Sequence, residues 1–230
     1  MNPRFAGFPP EAMTFLRGLK KNNKREWFQP RKEIYEQQVK GPMVELVAAL
    51  MQRMADFAPD YVGDPAKAVY RIYRDTRFSK AKTPYKTHIA AVFTPRGMGK
   101  DSGAGYYFGV TPERIDVGGG VYMPQPTDLR AIRNYLAENH EEFRRILAAR
   151  AVRRLFGEMS GDSLTRVPKG FAADHLAADL LRRKQFLLFK TLDGAIATTP
   201  KLYTEVAARF EAITPFLEFL NRPLAKRRPL

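Results

Sequence analysis

The sequence predicts an α+β fold: a single domain over residues 1–221 with a central, mainly antiparallel sheet of four to five strands flanked by N-terminal and C-terminal helices. Two observations predict it. Apolar residues recur at three- and four-residue intervals up to Phe57 and again from Thr127, whereas between Val69 and Met123 the period falls to two. No helix-length connection separates the short runs of that middle region, so neighbouring strands turn back on one another and pair antiparallel. With 230 residues, 44% of them hydrophobic and 12% aromatic, the chain has ample material for a core.

Pro9, Pro10 and Glu11 mark a helix start, with proline in the first turn and an acid at the positive end of the dipole. Met13, Leu16 and Leu19 carry that helix to about Lys21. Asn22 and Asn23 read as a stop and a new N-cap, after which Lys24 to Phe28 supplies a turn of helix bearing the only tryptophan, Trp27. From Arg31 to Phe57 the stripe Ile34, Val39, Met43, Leu46, Val47, Leu50, Met54 and Phe57 reads as core, with Gly41 and Pro42 as a break or kink. A loop follows over Ala58 to Ala66. The runs Val69 to Asp75, His88 to Thr94, Gly105 to Val110 and Arg114 to Met123 are then read as strands, being short, rich in β-branched and aromatic residues and bounded by Pro or Gly. Thr111, Pro112 and Glu113 form a tight hairpin turn between the last two. Leu129, Ile132, Leu136, Phe143, Ile146 and Leu147 restore the helical period, with a break near Asn139 and His140. A polar loop leads to a helix containing Leu176, Leu180 and Leu181, a last strand from Gln185 to Lys190, and a closing helix from Lys201 to Leu220 bent or split at Pro215. Residues 222–230 hold four basic residues and no acid, and are expected to form a mobile tail.

Composition narrows the chemistry. The absence of cysteine removes disulfides, thiolate zinc sites, iron-sulfur clusters and cysteine nucleophiles together. The three histidines, His88, His140 and His175, have no ligand spacing to one another or to nearby carboxylates, so neither a metal nor a cofactor is expected. The first residues lack a basic region followed by an apolar run, and no stretch of about 18 apolar residues occurs. A soluble, cytoplasmic protein without membrane insertion is expected. A net charge of +15 favours anionic partners: nucleic acid or phosphorylated metabolites.

That charge is densest in RIYRDTRFSKAKTPYKTH, Arg71 to His88, where six Lys or Arg residues share the segment with a single acid, Asp75. Extended geometry puts Arg71, Tyr73, Asp75 and Arg77 on one face and Tyr70, Ile72 and Arg74 on the other. Two arginines flanking a carboxylate are suited to bidentate capture of phosphate or carboxylate. Arg71, Arg74, Arg77, Lys80, Lys82 and Lys86 are therefore the candidate ligand-binding residues. Asp75, Tyr85 and His88 are candidates for proton transfer. The competing reading makes the arginines structural ties through Asp75 and backbone carbonyls.

The same residues resemble the signature of a bacterial family called domain of unknown function 2461, an Arg-x-x-Arg-Asp-x-Arg-Phe core followed by Lys and Tyr. Arg71, Arg74, Asp75, Arg77, Phe78, Lys82 and Tyr85 match it position by position. The likeness continues through LRGLKKNNKREWF, YYFGVTPERIDVGGGVYMP and RVPKGF, covering nearly the whole chain. It implies no assigned activity, cofactor or catalytic residue. Ala81 stands where relatives often carry an acid or amide, which argues against a metal carboxylate there.

Other motifs carry less. Gly118, Gly119 and Gly120 lie inside a strand-like run and mark a bulge, with a pocket floor as the alternative, rather than a phosphate cradle, since no helix follows at once. Gly161 to Leu164 spells a lipase-like GDSL block, but in a polar loop without the later Asp-x-x-His. Arg144, Arg145, Arg150, Arg153 and Arg154 give the middle helix a basic side. Three functions remain in competition: an anionic-metabolite site at Arg71 to His88, a nucleic-acid-binding module using the same segment, and a structural or protein-interaction role.

Overall fold

The computed structural model of the chain describes residues 5–77, 82–98 and 103–225. Helix α1 (Pro10–Lys21) buries Ala12, Met13, Phe15, Leu16 and Leu19, the inward stripe its spacing demands. After α2 (Arg25–Phe28) come a 3₁₀ turn (Gln29–Arg31), α3 (Lys32–Ile34), a π-helical turn (Tyr35–Lys40) and α4 (Gly41–Met54). The break read at Gly41 and Pro42 is thus a widened turn within a run of helix. Pro42 has no N–H, and its ring conflicts with the carbonyl four residues back. The wider turn lets the Gly41 N–H donate to the Glu36 carbonyl five residues back, and the chain continues helically. Helix α4 ends at Met54, short of Phe57. Asp64 accepts the Ala66 N–H at 2.9 Å to cap α5 (Pro65–Ala68).

Strands β1 (Ile89–Phe93), β2 (Gly105–Val110), β3 (Arg114–Val121) and β4 (Phe186–Asp193) form one antiparallel sheet in that order, so the fold is α+β as the sequence predicts. The run from Val69 to Asp75, expected as a strand, forms only isolated bridges, Val69 with Ala91 and Tyr73 with Tyr85. Three residues separate the first two anchors but five separate their partners. The two surplus residues interrupt the ladder, which is the logic of a bulge. Thr87 and His88 form a bend there, and β1 starts after His88.

Helices α6 (Pro126–Ala148), α7 (Arg150–Phe156), α8 (Ala178–Leu181) and α9 (Lys201–Ala225) complete the chain. The break expected near Asn139 is a kink at that residue, whose side chain donates to the Tyr135 carbonyl at 2.9 Å. Leu176 lies outside α8 and is exposed. Helix α9 runs through Pro215 without splitting and reaches Ala225, so 222–225, expected as mobile tail, are helical. Leu224 is buried, and Arg222 donates to Glu142 at 2.7 Å. Among the described residues no helix is long and apolar enough to cross a membrane.

The chain packs as two compact units: Met1–Val92 with Tyr107–Val117 and Thr191–Ala208, and Phe93–Tyr106 with Gly118–Lys190 and Arg209–Leu230. In the first, Phe15, Phe28 and Tyr35 meet ring to ring, and Phe8 donates to the Ala197 carbonyl at 2.8 Å. In the second, Phe143 packs on Phe186, Phe216 and Phe219, while Asn221 holds both backbone groups of Ala104 at 2.8 and 2.9 Å.

The triple glycine serves strand packing. A Cβ on Gly118 would meet the Leu188 carbonyl oxygen, and one on Gly120 the Phe186 carbonyl oxygen, with Gly120 also at φ 138°. Gly120→Ala is expected to cost about 3 kcal/mol or more, from backbone strain plus overpacking. Gly63→Ala, with nothing within 4 Å, should shift the urea midpoint little.

Candidate functional site

Residues 71–77 and 82–88 form the two arms of a paired ribbon in the first unit. Tyr70 donates to the Ala90 carbonyl at 2.8 Å, Lys86 to Ile72 at 2.7 Å and Arg74 to Pro84 at 2.9 Å. Exposure alternates as extended backbone requires: Ile72 is buried, while Arg71, Tyr73, Asp75 and Arg77 face solvent. Lys80, Phe78 and Ala81 lie outside the described residues.

Tyr85 anchors the ribbon. It is only 2% exposed, its ring stacks on Phe28 at 4.2 Å and 22°, and Asn23 grips its backbone from both sides. The Asn23 amide donates to the Tyr85 carbonyl at 2.9 Å, and the Asn23 side-chain oxygen accepts the Tyr85 N–H at 3.0 Å. Asn23 was expected as a helix cap; the residue before α2 is Lys24, without a side-chain cap bond. Burial pushes the Tyr85 phenol up, with Tyr73 adding to the shift and a hydrogen bond with Gln29 opposing it. A phenol so placed keeps its proton at neutral pH.

Tyr73, opposite Tyr85, stays 45% exposed while its ring meets Phe28 at 6.3 Å and Tyr85 at 5.5 Å. Beside it, Asp75 accepts from Arg77 three times: Nε at 3.1 Å, Nη2 at 2.7 Å and the backbone N–H at 3.1 Å. These bonds, with help from the Arg71 charge, hold the Asp75 carboxyl down at about 2. Asp75 therefore orients Arg77 and is a poor proton acceptor at neutral pH. Of the two flanking arginines, Asp75 bonds Arg77, while Arg71 acts on it through its charge.

Three other cations are turned to local work. Arg74 donates from Nη1 to the Thr83 hydroxyl, Lys82 donates to the Thr76 carbonyl at 3.0 Å, and the Lys86 ammonium lies 4.6 Å from the Tyr70 ring centre. They tie the two arms of the ribbon together.

His88 has different neighbours from Asp75 and Tyr85. Burial pulls its pKa down, helped by Lys86 and Arg114 and opposed by Asp116, so the imidazole is neutral at pH 7. Asp116 on β3 accepts the Thr191 hydroxyl at 2.7 Å and the Arg114 Nε at 3.0 Å. Tyr107 on β2 is pushed up to about 12 by burial, with Asp116 and Tyr70 adding to the effect. Sequence reasoning missed Asn23, Tyr107, Asp116 and Thr191. The alternation along β2 and β3, which puts Tyr107 and Asp116 opposite the buried Phe108 and Val117, is the signal that finds two of them.

Among the described residues no group of three or more His, Asp or Glu side chains is placed to hold a metal ion. Arg144 on the basic side of α6 is engaged with Asp179 at 2.7 Å and with the Leu176 carbonyl at 3.1 Å.

Two outcomes follow from this geometry. Asn23→Ala should destabilise the protein by about 2 kcal/mol, two hydrogen bonds of about 1 kcal/mol each, read from urea unfolding. The Asp75 carboxyl, followed by NMR, should titrate near 2 and move to about 4 in Arg77→Ala. The sign is set by the lowered folded value: the pair contributes fully above the ordinary carboxylate range and loses its contribution as pH falls toward about 2. A titration unchanged by the substitution would assign the shift to another cause.

The model of a family described as conserved hypothetical protein matches residues 11–219. A comparison with curated proteins finds no match. The match spans the Asn23 clamp, the arginine edge and all four strands, and the chain belongs to the DUF2461 family of conserved hypothetical proteins.

Proposed function

We propose that the protein binds a small phosphorylated or carboxylated metabolite at the edge formed by Arg71, Tyr73, Asp75 and Arg77. The observation that carries this reading is the division of labour on the ribbon. The segment's single acid is committed to Arg77, and two of its bonds hold a guanidinium that is still 78% exposed. Arg71 shares the face and makes no hydrogen bond among the described residues. Together they present more positive than negative charge in a fork geometry that fits planar anions.

The same division disfavours a nucleic-acid track over this segment. Such binding recruits about 6–10 phosphate contacts, and here Arg74, Lys82 and Lys86 are bonded within the ribbon. Of the three candidates for proton transfer, Asp75 is bonded to Arg77 and Tyr85 is buried, and His88, neutral and half-buried on the bend, is grouped with Asp116 rather than with this edge.

Thermal-shift measurements with pyrophosphate and citrate test the reading. Stabilisation is expected in the unaltered protein and should fall at least tenfold in apparent affinity in Arg71→Ala, as loss of a charge-assisted bond worth about 1.5–3 kcal/mol requires. Stabilisation that survives in both Arg71→Ala and Arg77→Ala would place any anion elsewhere.

A further inference from the structure

We infer that the occupant of this edge is a nucleoside phosphate, its base lying on Tyr73 and its phosphate on the flanking Arg71. The inference rests on the anion-binding reading above and adds the ring.

Tyr73 is one of few large hydrophobic side chains left well exposed, at 45%. It is also held. Its ring is braced by Phe28 at 6.3 Å and 65° and by Tyr85 at 5.5 Å and 50°, and its backbone is bridged to Tyr85. Phe28 and Tyr85 are themselves stacked and buried, with Tyr85 gripped by Asn23. An aromatic surface fixed before binding loses little side-chain freedom when a ring settles on it. Every nucleobase has a face able to stack in this way.

The phosphate end follows from strand geometry. Residues two apart on an extended strand share a face and lie about 7 Å from each other. Tyr73 stands at that separation from Arg71 on one side and from Asp75, which holds Arg77, on the other. A base on Tyr73 is thus one sugar away from a guanidinium. The aromatic cluster adds no opposing charge, since Tyr35 and Tyr85 are both pushed up by burial and stay protonated. An aliphatic anion would satisfy the arginines and leave the Tyr73 ring facing water.

Calorimetric titration at low salt with adenosine monophosphate and with ribose phosphate separates the two ideas. Adenosine monophosphate should bind on the order of tenfold tighter than ribose phosphate, a comparison that needs no variant. Tyr73→Phe should keep that gap, Tyr73→Ala should erase it, and Arg71→Ala should weaken both ligands. Equal binding of the two probes overturns the ring and leaves the anion site standing. Failure of both to bind removes the anion site and this inference with it. A hexanucleotide identifies the source: affinity no greater than its number of units accounts for assigns the site to free nucleotides, and greater affinity assigns the same base-and-phosphate recognition to a single strand.

Discussion

The ribbon between Val69 and Ala91 depends on how Tyr85 is held. Stacking on Phe28 removes one ring face from water, and Asn23 satisfies both backbone groups of the residue, so neither the ring nor the peptide can shift without exposing the other's partners. Burying an aromatic side chain is worth about 2–3 kcal/mol, and the two hydrogen bonds make the burial specific to one register. With Tyr85 fixed opposite Tyr73, and Ala91 fixed opposite Val69, the surplus residues between them must leave the ladder. That is why His88 sits on a bend beside Asp116 and Arg114 instead of inside a strand.

The same register sorts the charges. Arg71, Asp75 and Arg77 fall on the exposed positions, while Arg74 points the other way and meets Thr83. The five described cations of the segment, similar in chemistry, thereby acquire different roles. Exposed ion pairs of this kind contribute little to stability, so the value of the Asp75–Arg77 pair lies in orientation: a fork bonded at Nε and Nη2 has few ways to turn. His88 and the Tyr107–Asp116 group form a separate polar cluster, with a neutral imidazole and a phenol that keeps its proton.

Much of the fold was legible because local rules decided it. Proline at the start of α1 and the apolar stripe behind it place that helix to within a residue, and the turn at Thr111 to Glu113 lies between β2 and β3 as its residues require. The kink at Asn139 falls where a polar residue can bond back to the preceding turn. Other elements were decided by distant partners. Residues 222–225 read as tail by composition, but Leu224 is buried and Arg222 reaches Glu142, so α9 continues through them. Val69 to Asp75 has the alternation of a strand and is denied a regular ladder by two residues on its partner.

The sequence by itself determined the fold class, the inside-outside alternation of the arginine segment and the family likeness, because each follows from residue order along one stretch of chain. Which arginine pairs with Asp75, that Tyr85 is buried while Tyr73 is presented, and that Asn23 grips a tyrosine rather than a helix end were decided by the tertiary structure alone. The physical reason is separation: Asn23 and Tyr85 are 62 residues apart, and Asp116 and Thr191 are 75 apart. No local propensity records which polar groups folding will bring within hydrogen-bonding distance.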